Sequence, residues 1–441
     1  MFYNKSALTR FGFLLGLMCS SVQLSHAENI SNFETVLAKV QQYQNFDQFF
    51  SSNEKIAQLN IAQSKLWQNP NLSIDQTGFG SDQDQEINIG ISQPLDVFGE
   101  RKLNQSIART FNEKLQIEQQ LWQNQSASIV RFSWVQCVLA NLEYSSYLTQ
   151  FQISQENLNY AKKRYQAGNI ALVDVERAQI ELLESQRALQ QANLNLQTQQ
   201  QQLAHLWGAV KADFEIDQST QSWPVNTKQL VEKNIAESVL EKLYALNTKQ
   251  SAQQIEALKL QNRPQPNLSL GVRTSQSPKE NSETALALGI EVPLNIFNRQ
   301  QFTIPIVQQQ QILLNQQQQK RLNQQILNIG NYLNQIDALK TQYNLIHTQI
   351  EYANKVQQRS LVGFQVGKLS YTDVQLATNQ IQNLRLAQIQ ILQQAWKSAF
   401  SAEAISIGSS YEEISAPNAL DQLTQKMANY TTDSLSLGVS Q

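Results

Sequence analysis

The sixteen residues Ile87–Lys102, INIGISQPLDVFGERK, constrain this chain more than any other stretch. Ile87, Ile89 and Ile91 alternate with Asn88, Gly90 and Ser92, the two-residue period of a strand with one apolar and one polar face. Pro94 lacks a backbone N–H and is expected to stop strand pairing. From Arg101 no Gly or Pro occurs before Gly168, so a helix of about 100 Å can start where the strand stops. The pattern returns 199 residues later. Leu286, Leu288, Ile290 and Val292 alternate, Pro293 stands in the place of Pro94, and another long helix follows. The chain reads as a tandem duplication of one strand–turn–helix unit.

Charge and export bound what such a unit can be. Residues 1–27 read as a secretory signal: Lys5 and Arg10 precede the apolar run Phe11–Met18, and Ser25, His26 and Ala27 form a small-x-small cleavage site. Cys19 raises a lipoprotein alternative, but Met18 is bulky where a small residue is expected before a lipidated cysteine. After cleavage only Cys137 remains, so no disulfide within the chain is expected. No other apolar run reaches the roughly 18 residues of a transmembrane helix. An outer-membrane β structure or a soluble periplasmic protein is left. The formal net charge of −2 argues against nucleic acid as a partner, and abundant Gln and Asn suit long, water-bathed helices.

In order, the unit at 28–228 holds a β-hairpin over about 71–92 and a helical hairpin over about 100–207, turning at Gly168. The unit at 229–408 holds a helix over 230–261, strands at 267–273 and 284–292 with a polar loop 274–282 between them, and a second helical hairpin over about 299–407, turning at Gly367. Pro305 is expected to kink the first helix of that hairpin. The tail 409–441 is expected to be partly ordered against the middle of the helices. YQAG at 165–168 with Asp174 aligns without gaps on FQVG at 364–367 with Asp373.

Four strands cannot close a barrel, and an open sheet in lipid leaves edge N–H and C=O groups unsatisfied. Three chains would supply twelve strands, with room for a lumen, and the helices that continue from them would form a tube beneath. The reading is therefore a mainly α fold with a membrane β part. It is a homotrimer with a 12-stranded β-barrel and a periplasmic α-helical tunnel. The alternative is a periplasmic coiled-coil scaffold without a pore, which leaves the alternation in four segments and the paired prolines unexplained.

GISQPLDVFGER at 90–101, RYQAG at 164–168 with Asp174, and VPLNIFNR at 292–299 resemble the TolC-like outer-membrane factors, and most of all their cobalt–zinc–cadmium efflux (CzcC-like) branch. Asn298 and Gln300 depart from that branch's Asp and Asn. The resemblance implies an outer-membrane exit duct of a tripartite system. Its partners would be a periplasmic adaptor (membrane fusion) protein, an inner-membrane RND-type pump and outer-membrane lipid. The favoured cargo is heavy-metal cations, with drug efflux or type I protein secretion as the alternatives. The resemblance further implies a periplasmic tip at Ala167, Gly168, Asn169, Val366, Gly367 and Lys368 that meets the adaptor, and a constriction at Asp174 and Asp373. Leu369 and Leu376 occupy positions where the best-known members carry a basic and an acidic gate residue.

Pro94 and Pro293 mark the strand–helix junctions. Asp174 and Asp373 admit two roles: first-turn carboxylates that complement the helix dipole, or a ring of like charge on a three-fold axis that would raise their pKa values. His205, His347 and Cys137 have no metal-ligand spacing, and no phosphate loop or catalytic set stands out. No cofactor, metal site or enzymatic activity is expected.

Overall fold

The computed structural model describes residues 28–439 apart from 31, 80–83, 213, 217–222, 238 and 278–279. The signal at 1–27 lies outside the described residues. Strand β1 (Glu28–Ile30) and helices α1 (Phe33–Gln44) and α2 (Phe46–Gln63) precede the first β-hairpin, β2 (Asn71–Thr77) and β3 (Gln85–Pro94). Helix α3 (Glu100–Gln166, 67 residues) and helix α4 (Leu172–His205) form the first long hairpin. Strand β4 (Phe214–Ile216) and helices α5 (Thr227–Glu237) and α6 (Val239–Gln261) lead to strands β5 (Asn267–Ser277) and β6 (Glu280–Glu291). Helices α7 (Thr303–Gln365) and α8 (Tyr371–Ser406) form the second long hairpin, and α9 (Tyr411–Ser415) and α10 (Ala419–Val439) follow.

The ladder does end at Pro94, with the proline itself as the last member, opposite Asn267. Proline keeps its carbonyl, and a strand end is where its missing N–H costs least. Several local expectations need correction. The loop expected at 274–282 is largely strand, with Thr274 opposite Thr284 and Ser275 opposite Glu283. Ser and Thr are polar yet compatible with pleated backbone, so polarity alone was a poor breaker. Pro305 does not interrupt α7, because the helix starts at Thr303 and the proline falls in its first turn, where no N–H partner is required. The helix expected at 230–261 is two helices, α5 and α6. The parallel pairing of β1 with β4 was not anticipated.

The two junctions start their helices differently. At the first, Gly99 takes a left-handed φ of 81°, and the Asp96 carboxylate accepts the N–H groups of Glu100 (2.7 Å) and Arg101 (3.2 Å). This is the capping that helix N-termini demand. Asn298 replaces that glycine in the second copy, the left-handed residue is Gln300 (φ 57°), and α7 begins only at Thr303.

The β-hairpins join into one antiparallel sheet of order β2-β3-β5-β6. Its register sets Leu72, Ile91, Leu270 and Leu288 in one row and Ile74, Ile89, Val272 and Leu286 in the next, all exposed in the single chain. The opposite face presents Ser73, Gly90, Gly271 and Ala287, then Asp75, Asn88, Arg273 and Ala285. Beside the sheet the long helices lie in the order α4, α3, α8, α7. The main core sits midway along them. Val130, Trp134, Val138, Leu203 and Phe400 pack there with Val36, Val40 and, from the tail, Leu423 and Met427. Glu403 of α8 accepts bonds from Ser128 (2.5 Å) and Arg131 (3.0 Å) of α3, so this core also holds a paired charge.

Candidate functional site

The two helix turns far from the sheet are built alike. Gly168 (φ 73°) and Gly367 (φ 81°) take the left-handed conformation that glycine reaches without a Cβ clash. Asn169 N–H donates to Arg164 O at 2.9 Å, and Lys368 N–H donates to Gly363 O at 2.8 Å, satisfying the last carbonyls of α3 and α7. Ala167 and Val366 are the residues at which these helices end. Leu369 packs on Gly363, where a Cβ would meet its side chain, and Leu376 is exposed.

The structure brings the two turns together through residues that sequence reasoning did not single out as partners. Arg164 Nη1 donates to Phe364 O at 2.7 Å while its guanidinium lies 4.7 Å from the Phe364 ring centroid. The Tyr371 hydroxyl donates to Glu181 Oε2 at 2.8 Å, and both side chains are buried. Leu158, Ala161, Ala178, Phe364, Tyr371 and Val374 form a small core around them. A signal was present: at the 199-residue offset Arg164 faces Gly363, Tyr371 faces Leu172, and Glu181 faces Gln380. At these three positions, which reach across from one hairpin to the other, the copies differ.

Burial pushes Glu181 above the usual carboxylate range, against the Tyr371 bond that favours its charged form. Burial and the neighbouring Glu181 carboxylate likewise raise Tyr371. A carboxyl group with a folded pKa above its unfolded one binds more protons when folded, so its stabilisation is lost as pH rises through the folded value. Local opening at the turn-proximal ends of α4 and α8 should therefore increase as pH rises above the usual carboxylate range. Glu181→Gln should flatten that dependence, while Glu181→Ala, which strands the Tyr371 hydroxyl, should cost about 1–3 kcal/mol. Hydrogen exchange corrected for its intrinsic pH dependence reads both; parallel pH profiles for wild type and the Gln variant would refute the assignment.

Asp174 and Asp373 sit in equivalent first turns but hold different contacts. Asp373 completes a capping box: its Oδ2 accepts from Ser370 N–H (2.9 Å) and Ser370 Oγ (2.7 Å). These bonds hold its carboxyl below the usual range. Asp174 has no such cap, because Ala171 stands where Ser370 does, and its Oδ1 lies 3.4 Å from Arg177 Nη1. Among the described residues no group of three or more His, Cys, Asp or Glu is placed to hold a metal ion. Cys137 is buried, with its thiol pKa pushed up by burial, and exposed His347 lies 3.6 Å from Glu351.

Known proteins carry the same architecture. The chain resembles VceC from Vibrio cholerae, with a TM-score of 0.64 at 16% identity over 86% of this chain and 97% of that one. It resembles the outer membrane channel CmeC from Campylobacter jejuni, with a TM-score of 0.62 at 12% identity over 97% and 98%. Cobalt-zinc-cadmium resistance protein CzcC of Cupriavidus metallidurans is 25% identical over 260 residues, 57% of this chain; the match spans 60% of that relative's length. Residues 56–209 match the family described as outer membrane efflux protein. The chain thus carries a segment similar to the outer membrane efflux proteins on a fold that solved outer-membrane channels share.

Proposed function

We propose that three copies of this chain close into an outer-membrane duct, through which an inner-membrane pump, joined by a periplasmic adaptor, passes its substrate to the exterior. One observation carries the reading: the sheet and the helical layer are open at corresponding edges. The sheet ends in β2 on one side and β6 on the other, and the helical layer ends in α4 and α7. On α4, Val173, Ile180 and Leu194 are exposed at heptad spacing, as are Leu345 and Tyr352 on α7 and Val366 just past its end. Joining β6 and α7 of one copy to β2 and α4 of the next pairs the strand edges and covers both apolar stripes at once. Such a head-to-tail contact closes into a ring. Two copies would make an eight-stranded barrel filled by its own side chains, whereas three leave a lumen. In this assembly the row containing Ile89 faces lipid and the row containing Gly90 faces the duct.

Metal cations are the proposed cargo, supported by the strand-end phrase at 90–101 and the likeness to CzcC. The adaptor would meet the turns at Ala167, Gly168, Asn169, Val366, Gly367 and Lys368. The duct reading predicts single-channel conductance in planar bilayers and an oligomer of three chains by mass in detergent; a stable monomer without conductance would sink it. Cargo is tested by expressing the duct with candidate pump and adaptor genes. Restored tolerance to cobalt, zinc or cadmium supports metals, and restored tolerance to drugs alone refutes them.

The aspartates yield a separate outcome. Arg177 offsets the charge of Asp174, whereas Asp373 accepts only from neutral Ser370 and keeps its charge. Asp373→Asn should then weaken cation selectivity more than Asp174→Asn, and it should also weaken the capping box. Reversal potentials in asymmetric salt that stay unchanged in both variants would remove the constriction from these residues.

A further inference from the structure

We propose that the strand–helix junction is a belt that binds the phosphates of anionic phospholipids through arginines stacked on aromatic rings. The proposal rests on the outer-membrane reading above, in which the apolar sheet face lies in lipid and the helices leave it on the periplasmic side. The Arg101 guanidinium lies 4.1 Å from the Trp67 ring centroid, and that of Arg263 lies 5.2 Å from Phe98. Phe297 and Arg299, both exposed, place the same two residue types at the second junction. The six come from the segments before β2, after β3, before β5 and after β6, so the belt crosses the whole sheet.

The chemistry suits a phosphodiester. A guanidinium lying on a ring uses its face, which leaves its in-plane N–H fork for an oxyanion. Among the described residues neither Arg101 nor Arg263 forms an ion pair. The nearest acids are committed: Asp96 caps α3, and Glu100 accepts from Gln265. At the other end of the sheet Asp75, Glu86 and Glu283 outnumber Arg273, which Glu86 already pairs at 2.6 Å. Positive charge therefore lies where the helices leave the sheet and negative charge at the hairpin ends. An anionic headgroup is drawn to the first and repelled from the second. Aromatic rings at that level match the amphipathic headgroup zone.

The test reconstitutes the full chain in vesicles containing equal phosphatidylcholine and phosphatidylglycerol, then counts retained lipids by native mass spectrometry. Wild type should retain phosphatidylglycerol about thirtyfold over phosphatidylcholine, and R101Q/R263Q should approach parity while still floating with the vesicles. R101K/R263K keeps the charge but not the fork and should fall between them; it also serves if the Gln variant fails to assemble. Equal preference in wild type and the variants overturns the belt and leaves the duct reading intact. Failure of wild type to float overturns both. Displacement of the retained lipid by inorganic phosphate overturns the assignment to lipid.

Discussion

Lysine in place of Ile89 should prevent recovery of the assembled protein from membranes. Ile89 lies on β3, an inner strand, between Ile74 on β2 and Val272 on β5, with Leu286 beyond. Its neighbours in that row are all apolar, and no acidic side chain stands in the adjoining rows of that face to pair the ammonium. A basic residue on the lipid face costs about 2–4 kcal/mol at the bilayer midplane, falling toward the interfaces. In the proposed three-fold assembly that cost would recur in every chain. It would act on a barrel that forms only when the chains meet, so the loss should appear as missing oligomer rather than as a shifted melting point. Leu288→Lys, one row nearer the helices, should act in the same direction. Thr77→Lys is the control: it faces the polar side opposite Glu86 and should assemble normally. Wild-type oligomer yield from Ile89→Lys and Leu288→Lys would mean that this face does not meet lipid.

Phe400→Ala should cost about 3–5 kcal/mol, the range for truncating a buried aromatic. Phe400 is 1% exposed. Its ring meets Phe132 of α3 edge-on at 5.4 Å and stacks with Trp396 at 5.4 Å. Phe132 in turn touches Tyr411 at 6.0 Å, so the cavity would open where the two long hairpins and the tail converge. The surrounding side chains sit on long helices that cannot shift without disturbing packing elsewhere along their length, which limits collapse into the void. A fall in unfolding temperature, with faster amide exchange in α3 and α8 at mid-length, is the expected signature. Phe400→Leu should lose less. Unchanged unfolding of the Ala variant would show that this core does not hold the hairpins together.

Much of this chain was legible from spacing. The alternation of Ile87, Ile89 and Ile91, the long interval without Gly or Pro after Arg101, and the glycines at 168 and 367 are local features. A pleated strand, an uninterrupted helix and a left-handed cap each depend on a few adjacent residues, so a linear reading suffices. The local errors have local causes. Pro305 suggests a break, but it lies in a first helical turn, where a missing N–H is tolerated. Polar Thr274 and Ser275 suggest a loop, yet both are compatible with paired backbone.

Tertiary structure alone decided which residues reach from one hairpin to the other. Arg164 of α3 and Phe364 of α7, or Glu181 of α4 and Tyr371 of α8, meet only when the two hairpins pack at one height and one rotation. That phase is set by side-chain interdigitation along the whole helix pair, which no short window contains. The same packing gave the two equivalent aspartates unlike surroundings. Ser370 bonds Asp373 and pulls its pKa down, while Ala171 leaves Asp174 to Arg177. It also put Arg101 on Trp67 and Arg263 on Phe98, pairs drawn from separate connections. Sequence period determines which face of each element is apolar; the way those faces are turned against one another determines which polar groups are left to meet a partner.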